Sequence, residues 1–129
     1  MRQGSLAGSG TALPLWLRLV AGLAALVFLV GLFVGGAQPV AVNLIPAPWD
    51  KLVHALAFGG LAVLFCLALR PPLWLLVLFP LLVSAADEVH QAFLPGRSAG
   101  IDDWLAGAVG VGVAVAILQP RSQRCRSGD

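Results

Sequence analysis

Ionisable side chains are concentrated in one stretch of this chain, from Asp87 to Asp103. The stretch reads DEVHQAFLPGRSAGIDD and contains five of the fourteen Asp, Glu, Lys and Arg residues. It separates two strongly apolar runs, and a carboxylate beside bilayer hydrocarbon is costly unless it is paired, protonated or hydrated. The stretch is therefore a candidate functional site.

Two residues are the main candidates for acid or base chemistry. Glu88 shares a helix face with Gln91, three residues further on. The alternative for Glu88 is a buried ion pair with Lys51 or Arg97 that only fixes helix packing. His54 also has two interpretations. It is either a general acid, general base or metal ligand, or a neutral histidine held inside a helical bundle by one hydrogen bond.

Arg97 is the main candidate for contacting an anionic ligand. Its planar guanidinium suits a phosphate or a carboxylate. A salt bridge to Asp102, Asp103 or Glu88 is an equally good explanation.

Asp102 and Asp103 are predicted to begin a helix, where negative charge is favourable. Asp50 is predicted to be a helix N-cap, a position that Asp favours.

The charge of this region is unbalanced, and that raises the question of a metal. The charged residues of the stretch together with Asp50 and Lys51, which we call the acidic cluster, carry a net formal charge of −3. Such a site should hold a cation or keep some carboxyls protonated. Mg²⁺ or Ca²⁺ would take carboxylate oxygens, whereas Zn²⁺ would need His54. The candidate ligands are Glu88, Asp103 and His54, but no HExxH motif or cysteine pair identifies a metal, so the cofactor is open.

The composition indicates which elements position these residues. The chain is 59% apolar and 11% charged, against about 45–50% and about 25% in soluble domains. Uncharged runs approach the roughly 17–25 residues of a membrane span. We predict an all-α integral membrane protein with four transmembrane helices. The net charge of +2 is too small to suggest a nucleic-acid partner. The predicted helices cover about 14–36, 50–69, 73–93 and 101–119, between a flexible leader, 1–13, and a basic tail, 120–129.

The positions of the basic residues predict the orientation. Only Lys51 and Arg97 fall on the face that carries the acidic cluster. Six arginines fall on the other face: Arg2, Arg18, Arg70, Arg121, Arg124 and Arg126. The positive-inside rule then places both termini in the cytoplasm and the cluster on the extracytoplasmic side. Cleavage after Ala37 as a signal peptide is disfavoured, since the apolar run exceeds the roughly 7–15 residues of such a peptide.

The segments between and within the helices carry local predictions. Residues 37–49 contain three prolines and are expected to lie along the outer interface as a lid. Pro95 and Gly96 predict a type II turn, and Pro80 predicts a kink. The last helix carries small residues that would let another helix approach closely: Ala106, Gly107, Gly110 and Ala114.

The chain resembles the VanZ-like family over about residues 49–115. The resemblance rests on one ordered set: Asp50-Lys51, His54, Phe58, Glu88, Gln91, Phe93, Pro95-Gly96-Arg97-Ser98, Asp103 and Gly110. It implies a multi-pass protein of the bacterial cytoplasmic membrane, in a family named for a member associated with teicoplanin resistance. One departure is Gly107, where the family usually has Asn.

The leading hypothesis is therefore a polar site on the extracytoplasmic side for a lipid-linked or cell-wall-related ligand, with an effect on glycopeptide tolerance. The alternative is a non-enzymatic transporter or a structural protein whose charges form a packing core. Catalysis and oligomeric state are open, and the lipid bilayer is the expected partner. The assigned roles are acid or base for Glu88 and His54, orienter of His54 or metal ligand for Asp103, and ligand contacts for Arg97, Lys51 and Gln91.

Overall fold

Four helices make up the part of the chain that the computed structural model describes, residues 13–119. They are α1 (Leu15–Val30), α2 (Trp49–Leu69), α3 (Leu73–Ala92) and α4 (Ile101–Leu118). A π-helical turn, Gly31–Gly35, prolongs α1. Each span is long and apolar enough to cross a membrane, and no strand occurs in the described range. The all-α, four-span prediction is confirmed, whereas the predictions for the basic tail and for nearly all of the leader lie outside the described residues.

The start of α2 differs from the prediction. Pro48 occupies the N-cap position, and Asp50 lies inside the first turn. The Asp50 carboxylate accepts a hydrogen bond from the Lys51 backbone N–H at 2.8 Å. Asp50 is therefore not the N-cap, although its charge still lies where the helix dipole favours it. Asp102 and Asp103 lie in the first turn of α4, as predicted.

Close backbone packing joins α2 to α4. A Cβ atom on Gly59 would lie 2.8 Å from the Gly110 carbonyl oxygen, and one on Gly110 would lie 2.7 Å from Ala55 Cα. Gly107 and Ala114 are buried in the same contact region. The predicted role is confirmed for Gly110, because only the absence of side chains at Gly59 and Gly110 lets the two backbones approach so closely.

The apolar core lies between these two helices and α3. Phe58, Leu61 and Val111 are almost fully buried within it. Pro80 is also buried, and α3 continues through it to Ala92 without a break. At the opposite end of the bundle from the acidic cluster, Arg18 Nε donates to the Ala68 carbonyl at 3.0 Å. That bond ties the start of α1 to the end of α2.

The segment between α1 and α2 folds against the α3–α4 turn. Within the segment, Pro39–Ala41 forms a short 3₁₀ turn. Arg97 Nη1 donates to the Ala41 carbonyl at 2.9 Å. In the facing turn, Gly96 has φ +75° and the Leu94 carbonyl accepts from the Arg97 N–H at 3.2 Å. Both features are those of the predicted type II turn.

Candidate functional site

A cavity of about 420 Å³ opens at the end of the bundle where the acidic residues lie. The segment between α1 and α2 forms one wall, and α2, α3, α4 and the α3–α4 turn form the others. Its apolar wall includes Leu44, Ile45 and Pro46. Its polar lining consists of Asn43, Asp50, His54, Asp87, Gln91, Arg97, Ser98 and Asp103.

His54 presents a lone pair to two carboxylates. Its Nδ1 lies 3.0 Å from the Asp50 backbone carbonyl. A carbonyl oxygen only accepts, so we assign the proton of the neutral ring to Nδ1. Nε2 is then unprotonated, and it lies 3.2 Å from Glu88 Oε1 and 3.9 Å from Asp87 Oδ2. The lone pair of His54 Nε2 therefore faces oxygens of two carboxylates.

Both carboxylates are buried and held in place. Asp87 is 2% exposed, and its Oδ2 accepts from Gln91 Nε2 at 2.8 Å. Glu88 is 8% exposed, and its Oε2 accepts from the Gly100 N–H at 2.9 Å. Glu88 Oε1 has no hydrogen-bond partner in the described residues. Two buried carboxylates facing a lone pair are stable only with a proton or a cation between them.

Asp103 does not occupy the place predicted for it. Lys51 Nζ lies 2.7 Å from Asp102 Oδ2 and 3.4 Å from Asp103 Oδ1, so these three residues form an ion pair between α2 and α4. The group that orients His54 is the Asp50 carbonyl, and the second carboxylate beside His54 is Asp87. The alternative interpretation of Glu88, an ion pair with Lys51 or Arg97, is wrong, because Glu88 contacts His54 and Gly100 instead.

Arg97 has no carboxylate partner among residues 13–119, so the alternative interpretation, a salt bridge to Asp102, Asp103 or Glu88, is wrong. Its Nη1 donates to the Ala41 carbonyl. Its Nε is buried without an acceptor. The guanidinium therefore reaches the cavity with unused hydrogen-bonding capacity.

Asp87 is the site residue that the resemblance did not select. Two sequence signals pointed to it: Asp87 is a carboxylate at the end of an apolar run, and Gln91, four residues later, lies on the same helix face. Adjacent Asp87 and Glu88 are both buried, since both face His54 of α2 and Glu88 also contacts Gly100, just before α4. His90 lies apart and packs on Phe33, with ring centroids 5.4 Å apart.

The comparison with known families agrees with this architecture. A family model described as VanZ/LLP1 matches residues 15–120. The chain belongs to the VanZ/LLP1 family. Since the match includes all four helices, it extends well beyond the half of the chain that carries the sequence resemblance. No curated protein and no solved structure matches the chain.

At Gly107, where the resemblance leads us to expect Asn, the structure leaves little room for a side chain. A Cβ atom at this position would lie 2.8 Å from Ser84 Oγ and 3.0 Å from Phe58 Cδ2. Ser84 and Phe58 are both fully buried. The space that a larger residue would need is therefore already filled from α2 and α3.

We expect Gly107→Asn to destabilise the protein by about 1–3 kcal/mol, the usual cost of overpacking a tight core. Adding Ser84→Ala should recover part of the loss, because it removes the hydroxyl that the new side chain meets. Thermal unfolding in detergent, followed by helical circular dichroism, measures both. Gly112→Asn is the matched control, since a Cβ there has open space. An unchanged melting temperature for Gly107→Asn would contradict this explanation.

Proposed function

We propose that this VanZ-family protein binds the anionic group of a lipid-linked or cell-wall-related amphiphile in its cavity and thereby alters tolerance to glycopeptide antibiotics. The observation that supports the proposal best is Arg97. It lines the cavity, its Nε is buried without an acceptor among residues 13–119, and Asp102 and Glu88 are bonded to other groups. A planar guanidinium in this state is suited to a phosphate or carboxylate.

The lining of the cavity supports an amphiphilic ligand. Leu44, Ile45 and Pro46 offer an apolar surface, while Arg97 and Gln91 offer hydrogen-bond donors within the same cavity. A molecule that joins an apolar chain to an anionic head can use both surfaces. Lipid-linked precursors of the cell wall have this chemistry. We assign the anion contact to Arg97 rather than Lys51, because Lys51 is already neutralised by two aspartates.

The second candidate function, a packing core, has support for part of the cluster only. Lys51, Asp102 and Asp103 link α2 to α4, which is what a structural ion pair does. Lys51 and Asp102 are 41% and 60% exposed in their side chains, so this link stabilises little by itself. Glu88 and His54 lie deeper and at hydrogen-bonding separation, and they keep the acid or base role in our proposal.

We further propose that the cavity faces the extracytoplasmic side of the bacterial cytoplasmic membrane. Support comes from Arg18 and Arg70, which lie at the end of the bundle opposite the cavity. An impermeant thiol reagent should then fail to label Cys125 in intact cells and should label it after permeabilisation. Labelling of Cys125 in intact cells would reverse the orientation.

Arg97→Gln is the direct test of the ligand proposal. Loss of a charge-assisted pair should weaken anion binding at least about tenfold, so we expect the variant to lose the teicoplanin tolerance that the wild-type protein confers on a susceptible host. Arg97→Lys should retain part of it, since it keeps the charge but not the planar fork. The readout is the minimal inhibitory concentration, with membrane abundance measured by immunoblot.

Arg70→Gln is the matched control, because Arg70 is exposed at the other end of the bundle. It should behave as wild type. Full tolerance from Arg97→Gln at equal abundance would rule out Arg97 as the anion contact.

A further inference from the structure

The three atoms that meet beside the cavity have the composition of a metal site. His54, Asp87 and Glu88 each place one ligand atom within 4.8 Å of the other two. Nε2 of His54 lies 3.2 Å from Glu88 Oε1 and 3.9 Å from Asp87 Oδ2. One imidazole nitrogen and two carboxylate oxygens form a ligand set suited to Zn²⁺ or a related transition metal. Three protein ligands with a free fourth position are typical of a metal that also contacts a substrate.

An independent observation indicates that these atoms bind a cation. Glu88 is more than nine-tenths buried, and within the described part of the chain its Oε1 has no hydrogen-bond partner although it lies 3.2 Å from His54 Nε2. Since Nδ1 of His54 faces the Asp50 carbonyl, the neutral ring has no proton to offer Glu88. Glu88 Oε1 therefore faces the lone pair of His54 Nε2. A cation bound by both atoms would remove the repulsion between them.

The separations fit a small cation. Two ligands of a tetrahedral Zn²⁺ with bonds of about 2.0 Å lie about 3.3 Å apart. Nε2 and Oε1 are 3.2 Å apart, and Nε2 and Oδ2 are 3.9 Å apart. The His54–Glu88 pair already has the required separation, and binding of a cation would draw the Asp87 carboxylate toward it. A divalent ion would also bring the formal charge of the two carboxylates and the ion to zero, which reduces the cost of burying them.

Each ligand is oriented by a second contact, as metal ligands usually are. His54 is held by the Asp50 carbonyl, Asp87 by the Gln91 amide and Glu88 by the Gly100 N–H. The first of these contacts leaves Nε2 of the neutral ring free to ligate. His54 and Asp87 line the cavity, so the fourth coordination position can open into it.

We propose that His54 Nε2, Asp87 Oδ2 and Glu88 Oε1 bind one divalent transition-metal cation, with Zn²⁺ the best match. Bound there, the ion would present a positive charge to an anionic ligand that enters the cavity. The competing explanation is a proton on His54, which would make an imidazolium pair with Glu88. That arrangement needs no metal and predicts no metal binding.

The test is direct metal binding by the full-length protein. The chain is purified in detergent through a tag without histidines, stripped with a chelator and titrated with ZnCl₂ by calorimetry. We expect about one Zn²⁺ per chain, and binding at least about tenfold weaker in His54→Ala, Asp87→Asn and Glu88→Gln. His90→Ala and Asp102→Asn are the matched controls, because they remove the other histidine and an exposed carboxylate outside the cluster. Both should bind as wild type.

Absence of binding by the wild-type protein would overturn the proposal, as would equal weakening in His90→Ala. Binding of Mn²⁺ instead of Zn²⁺ with the same sensitivity to the three ligand variants would support the site. If a ligand variant does not fold, Co²⁺ bound to the wild type still decides the question. A strong visible absorption indicates a tetrahedral protein site, whereas the weak spectrum of Co²⁺ in buffer overturns it.

The metal proposal and the ligand proposal can fail separately. The titration uses no anionic ligand, and Arg97→Gln should still bind about one Zn²⁺ per chain, because Arg97 is not one of the three proposed ligands. Intact Zn²⁺ binding without any effect of Arg97→Gln on tolerance would leave the metal site standing and remove the proposed function.

Discussion

Gly110→Ala is expected to destabilise the bundle more than any other single-methyl change in the described helices. A Cβ atom at Gly110 would collide with the Ala55 carbonyl oxygen and would lie 2.6 Å from the Ala55 carbonyl carbon. These are backbone atoms of α2, so no rotamer change can make room and the two helices must separate. Overpacking costs about 1–3 kcal/mol, and more where the backbone has to shift. The gain of about 1 kcal/mol from replacing glycine in a helix cannot offset it.

The measurement is the melting temperature in detergent together with the amount of protein that accumulates in the membrane. Both should fall sharply for Gly110→Ala. Gly112→Ala is the control, because it lies in the same helix and a Cβ there has nothing within 4 Å. It should be neutral or slightly stabilising. Equal melting temperatures for the two variants would show that α2 and α4 do not pack this closely.

Glu88→Gln is expected to abolish function while leaving the fold intact. The glutamine carbonyl can still accept the hydrogen bond from the Gly100 N–H, which Glu88 Oε2 accepts at 2.9 Å. The amide NH₂ then replaces Oε1 and can donate to His54 Nε2, 3.2 Å away. In the wild type two lone pairs face each other, whereas in Glu88→Gln an N–H donor faces the His54 lone pair and forms a hydrogen bond. The melting temperature of the metal-free protein should therefore stay the same or rise, whereas the proposed effect on teicoplanin tolerance should be lost.

A packing role for Glu88 predicts the opposite result. If an imidazolium on His54 paired with the Glu88 carboxylate, removal of the negative charge would leave a buried cation unpaired, which costs about 3–5 kcal/mol. The melting temperature and membrane abundance of Glu88→Gln would then fall together. Thermal unfolding and immunoblotting separate the two explanations in one variant. Val89→Ala, an exposed change at the next position, serves as the control.

The helices and most of their boundaries were predictable because hydropathy and charge are local properties of a segment. A run of apolar residues of the right length must form a helix in a bilayer, whatever its neighbours are. The predicted boundaries of α3 and α4 differ by one residue from those observed. Asp50 was assigned wrongly because Asp is favourable both at the N-cap and in the first turn, and composition does not distinguish the two.

What the sequence by itself determined is the set of polar residues at one end of a four-helix membrane protein. The family match over residues 15–120 agrees with that result. Only the tertiary structure decided which of those atoms meet. Asp87 rather than Asp103 lies beside His54, because Lys51 holds Asp103 and because close contact at Gly110 sets how α2 and α4 align. Pairing depends on helix rotation and on separations of a few ångströms between segments distant in sequence, and those quantities arise only when the helices pack.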